Sequence, residues 1–332
     1  MAPVTVTPHM RVLLVSAFDA PFIQDDIAHL RKHVRLRTRI RNGLLSIPGL
    51  VFGVVRSDVV VCWFASVYAF VAVAVARFTG IRTCVVVGGV DAAKDPELGY
   101  GIWLSRWKSK LVRYVFRHAT RILVVDQSLK DAAIKLAEYD GANIHVLPTG
   151  YNSAFWRPIA EKEPVVLTVA VARDIVTLRR KGLDTLVEAA RLLPGVTFTV
   201  VGTEERFLKP LNPPMNVKCF AKMPREDVVH FYQRAKVYCQ PSRREGLPNA
   251  LCEAMLCGCI PVASSVNGIP TAVGDAGFLV EPDDSDSLAA TVRHALALGE
   301  KEALKARARI VSLFPMEKRE SGLLKTLAEI TA

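Results

Sequence analysis

Short runs of apolar, mostly β-branched residues recur along the first half of the chain. Helical periodicity fills two of the gaps between them, at Trp103–His118 and Ser128–Glu138. Alternating strands and helices are typical of a parallel sheet covered by helices. The runs that we predict as strands are Val12–Ser16, Val59–Trp63, Thr83–Val87, Ile122–Val125 and Ile144–Leu147.

The alternation stops at the turn-rich segment Pro148–Pro158 and then restarts. Further strands are predicted at Val165–Ala170, Phe198–Val201, Val217–Phe220, Val237–Gln240, Ile260–Ser264 and Gly277–Val280. Between them lie an amphipathic helix carrying Leu183, Leu186, Val187, Ala190 and Leu193 on one face, and helices near Arg225–Ala235, Pro248–Cys257 and Ser285–Leu298. The second half is therefore predicted to be another doubly wound sheet.

A chain of 332 residues suits two domains of about 150 residues each. We predict domains at 1–154 and 155–312, and assign 313–332 to a final helical segment. Ligands of doubly wound sheets bind outside the carboxyl ends of the strands. The predicted fold class is therefore α/β, with two facing Rossmann-like parallel-sheet domains and an active site in the interdomain cleft.

The segment Val59–Ala76 carries no charge over 18 residues, which is the lower limit for a membrane span. Its first part is β-branched, and Ser66 is a good cap for a following helix. We therefore predict a buried strand and a buried helix here.

Composition supports a folded protein, with 51% hydrophobic and 23% charged residues. The net charge is +11, and the 19 basic and 11 acidic residues up to Phe155 place +8 of it in the first half. Such charge can meet anionic lipid or phosphorylated substrates, or can simply be a solvated helix face and strand edge. Nucleic acid is disfavoured because no binding signature accompanies the charge. The basic residues cluster at Arg31, Lys32, Arg35, Arg37, Arg39 and Arg41, and at Arg106, Lys108, Lys110, Arg113 and Arg117.

Seven cysteines lie mostly in apolar runs, which indicates reduced thiols that pack as small hydrophobes. Cys252, Cys257 and Cys259 lack the spacing of a zinc site, so no metal site is predicted. The N-terminus has no evident signal peptide. We therefore expect a cytoplasmic location.

The segment Pro241–Glu253 carries the clearest chemical signal. A predicted strand ends, Gly246 forms a turn, and Pro248 occupies the predicted first position of a helix. Free N–H groups and the positive dipole end at a helix start favour phosphate, and a glycine lets the backbone approach it closely. This arrangement suits a diphosphate.

Two glutamates flank that predicted phosphate position, Glu245 before the helix and Glu253 in its second turn. Carboxylates repel phosphate but accept hydrogen bonds from hydroxyl groups, here those of a sugar and a ribose. The alternative is that Glu245 is a solvated loop residue and Glu253 a helix-surface residue.

Two cations follow the first strand of the second half, Arg173 and Lys181. Cations there can stabilise a diphosphate leaving group as its charge develops. The alternative is a basic loop without a ligand.

Four sequence segments together resemble the donor domain of retaining glycosyltransferase family 4, which has the GT-B fold. They are VARDIVTLRRKGLDTLVEAA, TFTVVG, PSRREGLPNALCEAMLCGCIPVAS and NGIPTAVGDAGFLVEPDD, and the first half resembles the family more weakly through strand order and VLPTGYNSAFWRP. The resemblance implies that Arg173 and Lys181 bind the donor diphosphate, Glu253 holds the ribose and Glu245 lies by the transferred sugar. It also implies that the final helix crosses back onto the first domain. The donor-side residues expected near these groups are Gly246, Leu247, Pro248, Asn249, Gly202, Phe220 and Lys222.

The chain also departs from that family. The glycine-rich loop that members often carry after the first strand is replaced by Ser16–Pro21, and Gly88-Gly-Val-Asp91 stands where many have a histidine. We expect Asp91 to contact donor sugar or acceptor, with stabilisation of a glycine turn as the alternative. Asp283–Asp286 resembles a metal-binding Asp-x-Asp motif, but it lies between a strand and a helix, where Asp and Ser are capping residues.

The function indicated is transfer of a sugar from a nucleotide-diphosphate sugar to a glycan or lipid-linked acceptor. The family resemblance implies that the sugar keeps its anomeric configuration and that no metal is required, and we expect no other cofactor. Peripheral association with the inner face of a membrane is a further expectation from the basic first half. The alternatives are a catalytically silent binding or assembly subunit and another enzyme on the same fold, such as a sugar phosphorylase. A dinucleotide-dependent epimerase or dehydrogenase is disfavoured because no Gly-x-Gly-x-x-Gly follows a strand.

Overall fold

The computed structural model describes residues 8–40, 43, 46–159 and 161–332. The chain divides into two compact units. The first runs to Gly150 and also includes Met316–Ala332, and the second is Tyr151–Pro315. The boundaries predicted from the sequence are 154/155 and 312/313. Tyr151, the first residue of the second unit, donates its backbone N–H to the carbonyl of Phe314 in the same unit, 3.0 Å away.

The first unit is built on a six-stranded parallel sheet of order β2-β1-β3-β4-β5-β6. Its strands are β1 (Arg11–Ser16), β2 (Arg35–Ile40), β3 (Val59–Trp63), β4 (Arg82–Val87), β5 (Arg121–Val124) and β6 (Ile144–Val146). Its helices are α1 (Pro21–His33), α2 (Ile47–Val55), α3 (Val67–Thr79), α4 (Arg106–His118), α5 (Gln127–Ala137) and, after the second unit, α14 (Met316–Thr331). All five strands predicted from the apolar runs in this half are confirmed, with ends shifted by one residue at most.

The second unit has its own six-stranded parallel sheet, of order β12-β11-β10-β7-β8-β9. Its strands are β7 (Glu163–Val169), β8 (Thr197–Val201), β9 (Val217–Phe220), β10 (Ala235–Gln240), β11 (Ile260–Ser264) and β12 (Phe278–Val280). Its helices are α6 (Ile175–Arg180), α7 (Leu183–Arg191), α8 (Glu205–Leu208), α9 (Arg225–Arg234), α10 (Asn249–Leu256), α11 (Ile269–Val273), α12 (Ser285–Ala297) and α13 (Glu300–Leu313). Its core is formed by the apolar strands and by the predicted buried face of α7, including Leu183, Leu186 and Val187.

The prediction of a strand and a helix across Val59–Ala76 is confirmed. β3 is buried at every position, and the Ser66 hydroxyl accepts a hydrogen bond from the Ala69 N–H to cap α3. Among the described residues, no helix combines the length and apolar character needed to cross a membrane.

The first basic cluster contains the strand that sequence reasoning missed. β2 lies at the edge of the first sheet, and Arg35, Arg37 and Arg39 alternate along it. An edge strand carrying charges on one face is protected against pairing with other chains. The arginines of β2 therefore fit the alternative in which the basic cluster is a solvated strand edge. Arg41 lies outside the described residues.

Candidate active site

The two strands that flank the centre of the second sheet end at a topological switch point. β7 pairs with β10, and the chain continues from β7 towards β8 and β9 but from β10 towards β11 and β12. Loops that follow such strands diverge above and below the sheet and leave a crevice between them. The loops after β7 and β10 carry Arg173, Lys181 and Glu245, so the sheet brings these segments to one edge.

Lys181 and Glu245 form an ion pair in this crevice. The Lys181 Nζ lies 2.5 Å from Glu245 Oε1, and the two side chains are only 18% and 9% exposed. Gly182 makes the approach possible, because its φ is +65° and a Cβ there would lie 1.7 Å from the Pro241 carbonyl oxygen. Because residue 182 is a glycine, the end of α6 can pack directly against the residue that follows β10.

Three donors converge on the Glu245 carboxylate. Besides Lys181, the Gln240 Nε2 donates to Oε1 over 3.1 Å and the Ser242 hydroxyl over 2.9 Å. Burial raises the pKa of Glu245, but the positive charges of Lys181 and Arg180 lower it by more than burial raises it. The pKa of Glu245 therefore lies below its ordinary value. Burial lowers the pKa of Lys181 against the opposing pull of Glu245. The alternative that Glu245 is a solvated loop residue is wrong.

Arg173 differs from Lys181 in being exposed to solvent. Within the part of the chain that the structure describes, it makes no hydrogen bond or ion pair. Arg243 is a further cation in this region that sequence reasoning did not single out. Its guanidinium is held by Asp184 at 2.8 and 2.9 Å and by Asp283 at 2.5 Å. Arg243 is thereby occupied by protein carboxylates, whereas Arg173 remains open to a ligand.

The start of α10 corrects one detail of the predicted phosphate site. Pro248 has extended backbone angles of −76° and 108° and caps the helix, so Asn249 is the first helical residue. Proline fits this cap because it has no N–H to leave unpaired. The Asn249 Oδ1 accepts a hydrogen bond from the Tyr151 hydroxyl at 2.8 Å, and Gly246 accepts one from the Gly268 N–H at 3.1 Å. Leu247 is buried beneath the turn.

Glu253 is fixed from the neighbouring helix α9. Its Oε1 accepts from Arg225 Nη2 at 3.3 Å and its Oε2 from the Tyr232 hydroxyl at 3.2 Å, and its side chain is 13% exposed. The alternative that Glu253 is a helix-surface residue is therefore wrong. Sequence reasoning missed Arg225 and Tyr232, since nothing in a single sequence pairs them with a residue 21 or 28 positions away.

The remaining donor-side residues lie at the ends of β8 and β9. Gly202 has a φ of +101°, and a Cβ there would lie 2.8 Å from the Ala170 carbonyl oxygen. Its N–H donates to the Phe220 carbonyl at 2.8 Å. The Phe220 ring is 39% exposed and packs edge-on against Phe231, and Lys222 is exposed.

The described part of the second unit contains a cavity of about 420 Å³ and another of about 500 Å³. The smaller is lined by Phe220, Phe231 and Thr199 along one face of the sheet. The larger lies by Lys162, Lys236 and the start of α13 and contains none of the predicted site residues. The paired side chains of Lys181 and Glu245 therefore lie outside both of these cavities.

Asp91 lies in the first unit, and its contacts match the turn-stabilising alternative. It is completely buried, and its carboxylate accepts from the N–H groups of Ala65 at 2.9 Å, Gly89 at 2.9 Å and Gly88 at 3.2 Å. Burial outweighs these bonds and raises its pKa to about 6. Direct contact of this carboxylate with a sugar would require the bonds to open.

We expect the raised pKa of Asp91 to appear in the pH dependence of folding. A carboxyl group whose pKa is higher in the folded state stabilises the fold below its unfolded pKa, and this stabilisation is lost as pH rises through the folded value of about 6. The difference in unfolding free energy between wild type and Asp91→Asn should therefore fall between about pH 4 and pH 6, as measured by urea unfolding. A flat difference across this range, together with a kinetic defect in the variant, would instead indicate contact with substrate.

The capping interpretation of Asp283–Asp286 is confirmed. The Asp284 Oδ1 accepts from the Ser287 N–H at 2.8 Å at the start of α12, while Asp283 is paired with Arg243. Within the described ranges, no group of three His, Cys, Asp or Glu side chains is arranged to hold a metal ion. All seven cysteines are free thiols, and six of them are buried.

Comparison with known proteins assigns the family. The glycosyl transferases group 1 model matches residues 152–310, and the glycosyltransferase family 4 model matches residues 8–155. The chain belongs to glycosyltransferase family 4. The two family-4 matches meet near the boundary between the two units.

Two curated relatives are similar over much of this family-4 chain. The α-maltose-1-phosphate synthase of Mycolicibacterium smegmatis is 28% identical over 242 residues, which are 65% of this chain and 62% of that protein. The N,N'-diacetylbacillosaminyl-diphospho-undecaprenol α-1,3-N-acetylgalactosaminyltransferase of Campylobacter jejuni is 27% identical over 257 residues, 65% of this chain and 64% of that protein. The match thus spans less than two thirds of either relative.

The solved structure of Anabaena Alr3699/HepE in complex with UDP-glucose is similar over nearly the whole chain. The TM-score is 0.80 at 17% identity, with 97% of this chain and 100% of that one covered. At this identity the likeness concerns the fold, and it confirms the predicted GT-B fold class.

Proposed function

We propose that this chain transfers a sugar from a nucleotide-diphosphate sugar to an acceptor with retention of the anomeric configuration. The observation that carries the proposal is the buried Lys181–Glu245 pair at the switch point of the second sheet. A lysine held there by a carboxylate is preorganised, so little reorganisation is needed when charge develops on a departing diphosphate.

The donor diphosphate would lie between the cations and the start of α10. Lys181 and the open Arg173 supply positive charge, and Gly246 together with the first N–H groups of α10 supplies hydrogen-bond donors. Because these groups alone can offset the charge of the leaving group, we propose that no metal or other cofactor is required. Leu247, Pro248 and Asn249 would shape the backbone of this phosphate site.

The two glutamates would bind hydroxyl groups on either side of the diphosphate. Glu253 is held by Arg225 and Tyr232 and would accept from the ribose, and Glu245 would lie by the transferred sugar. Gly202 would let the nucleotide approach the end of β8, and the exposed Phe220 and Lys222 would lie near the base. A flat ring such as Phe220 suits the face of a base.

The named ligands of similar proteins support this donor class. The structurally similar Anabaena protein was solved with UDP-glucose, and the similar C. jejuni enzyme is named for a diphospho-undecaprenol substrate. We propose a lipid-linked or growing glycan acceptor for this chain. The positive charge of the first half supports an acceptor located at the anionic inner face of a membrane.

Donor hydrolysis without acceptor tests the proposal directly. Purified protein incubated with UDP-, GDP- and ADP-sugars should release nucleoside diphosphate from at least one donor, and proton NMR at early times should detect free sugar in the anomeric form of that donor. Initial release of the opposite anomer would exclude retention. Absence of binding and hydrolysis with every donor would favour the silent-subunit alternative, and release of a sugar phosphate that depends on inorganic phosphate would favour a phosphorylase.

Glu253→Ala should weaken donor binding by about tenfold to a hundredfold, because hydrogen bonds to a charged acceptor are worth about 1.5–3 kcal/mol. Isothermal titration with the donor found in the screen measures this change. Glu226→Ala is the matched control, since Glu226 is exposed in the first turn of α9. Equal affinities for wild type and Glu253→Ala would remove Glu253 from the donor site.

A further inference from the structure

Helix α3 is apolar on the side that faces away from its sheet. Its inner face consists of Ala69, Ala72, Val73 and Ala76, all buried. The opposite face carries Val67, Val71, Ala74 and Phe78, which are partly or fully exposed, and the Phe78 ring is 90% exposed. A helix that is apolar all round is ordinarily covered on every side, by protein or by lipid.

The helices beside α3 extend this apolar surface. α3 packs against α2 on one side and α4 on the other. In α2 the outward positions are also apolar, with Phe52 52% and Val55 47% exposed. At the start of α4 the Trp107 side chain is 57% exposed. We call the outer surface of α2, α3 and α4 the helical face.

The charge on the helical face has one sign. The sequences of α2, α3 and α4 contain no Asp or Glu. Each exposed aromatic ring has a basic neighbour: Arg56 lies over the Phe52 ring at 4.1 Å, Lys108 lies 5.5 Å from the centre of the Trp107 ring, and Arg77 precedes Phe78 in sequence. Exposed aromatic rings beside basic residues are the composition of segments that lie in a membrane interface.

Not every basic residue of α4 contributes to this face. Arg113 donates to the Leu136 carbonyl and pairs with Glu138, and Arg117 donates to the carbonyls of Ala137 and Glu138. Both arginines therefore stabilise the end of α5. The charge available to a partner comes from the exposed residues Arg56, Arg106, Lys108 and Lys110, and from Arg77, which is exposed although its guanidinium contacts the uncharged His118 ring in α4.

We propose that the helical face docks on an anionic phospholipid bilayer, with Phe52, Phe78 and Trp107 entering the interface and the basic residues meeting the headgroups. This inference rests on the proposed function, which places the acceptor at an anionic membrane, and it identifies the helical face as the surface of the protein that contacts that membrane. A bilayer fits the face because it offers both apolar contact over a broad area and negative charge. The aromatic rings lie near the C-terminal ends of α2 and α3 and at the start of α4, so the helices would lie along the membrane plane.

Tryptophan fluorescence gives a local test, because only one of the four tryptophans is exposed. Trp63, Trp103 and Trp156 are 2%, 6% and 1% exposed, against 57% for Trp107. Vesicles that contain brominated phosphatidylglycerol should quench the emission of the wild type and shift it to shorter wavelengths. Trp107→Phe should bind the same vesicles with little quenching.

Vesicle sedimentation with matched variants separates the contribution of the basic residues to membrane binding from that of the exposed aromatic rings. Partitioning onto vesicles of phosphatidylcholine with phosphatidylglycerol should fall about 25-fold in Lys108→Gln/Lys110→Gln, at about fivefold for each charge removed. Phe78→Ser should weaken it about tenfold. The controls lie in the second unit: Lys301→Gln and Met215→Ser remove an exposed charge and a 100% exposed apolar side chain, and both should bind like wild type.

Three results of the vesicle experiments would overturn the proposal: no binding to anionic vesicles, equal binding to vesicles of phosphatidylcholine alone, or loss of binding in the controls as large as in the helical-face variants. Light scattering without lipid checks for a second copy of the chain, and a dimer that Phe78→Ser dissociates would assign the face to self-association instead. Donor hydrolysis in solution should be the same in all of these variants. A failure of membrane docking is therefore distinguishable from a failure of the transferase proposal.

Discussion

Replacing Lys181 by alanine should reduce the turnover number about 10³-fold with a smaller change in donor affinity. Removal of one preorganised group that stabilises developing charge typically costs a factor of 10² to 10³ in turnover. Lys181 is such a group in the proposed mechanism, because its ammonium is buried and fixed 2.5 Å from Glu245. Steady-state kinetics of donor hydrolysis measure the effect, with Lys236→Ala as the control because Lys236 lies at the opposite end of β10 from Glu245.

Loss of turnover in Lys181→Ala could also arise from an uncompensated buried carboxylate. Glu245 is 9% exposed, so removal of its cation leaves a desolvated charge and should also lower the unfolding free energy. The double variant Lys181→Ala/Glu245→Gln removes both charges and should regain most of this stability. If it also regains turnover, Lys181 acts through the fold and the mechanism proposed for it is wrong.

The strands of both sheets could be predicted because their signal is local. Buried parallel strands are continuous apolar runs, and β3 and β11 were predicted with the observed ends. β2 escaped prediction because it lies at a sheet edge and alternates arginine with Leu36, Thr38 and Ile40, so that it lacks the continuous apolar run of a buried strand. Only the strand order of the sheet, in which β2 pairs with β1 at the edge, shows that this segment is a strand.

The candidate site was predictable as a set of segments but not as a set of contacts. The glycine turn and the helix after β10 are encoded within a dozen residues, and the switch-point rule brings the loop after β7 to the same edge. By contrast, the ties from Arg225 and Tyr232 to Glu253 join different helices, and no periodicity relates them. Asp91 is a case in which the sequence leaves two roles open, because a carboxylate beside two glycines can bind a ligand or stabilise the glycine turn. Only its hydrogen bonds from three backbone N–H groups, seen in the structure, favour the turn.

The final helix is tied to the first unit by a contact that no local pattern could reveal. Arg319 of α14 donates from Nε and Nη2 to both carboxylate oxygens of Asp26 in α1, at 3.0 and 2.7 Å, across 293 positions of sequence. The Trp63 indole N–H donates to the same carboxylate at 3.0 Å, and Arg319 Nη1 donates to the Leu147 carbonyl at 2.9 Å. The two charged side chains are 2% and 5% exposed, so their partners are fixed by the protein alone.

Arg319→Ala should therefore lower the unfolding free energy of the first unit by about 3–5 kcal/mol, the usual cost of leaving one charge of a buried pair uncompensated. Urea unfolding followed by circular dichroism measures the change, and Arg11→Ala is the control because the side chains of its ion pair with Asp58 are 58% and 38% exposed, so that its loss should change the unfolding free energy little. The double variant Asp26→Leu/Arg319→Met should be more stable than Arg319→Ala, since it removes both charges and fills most of the space. An Arg319→Ala protein as stable as Arg11→Ala would mean that α14 is held by its apolar contacts through Leu323 and Leu327 and not by this ion pair.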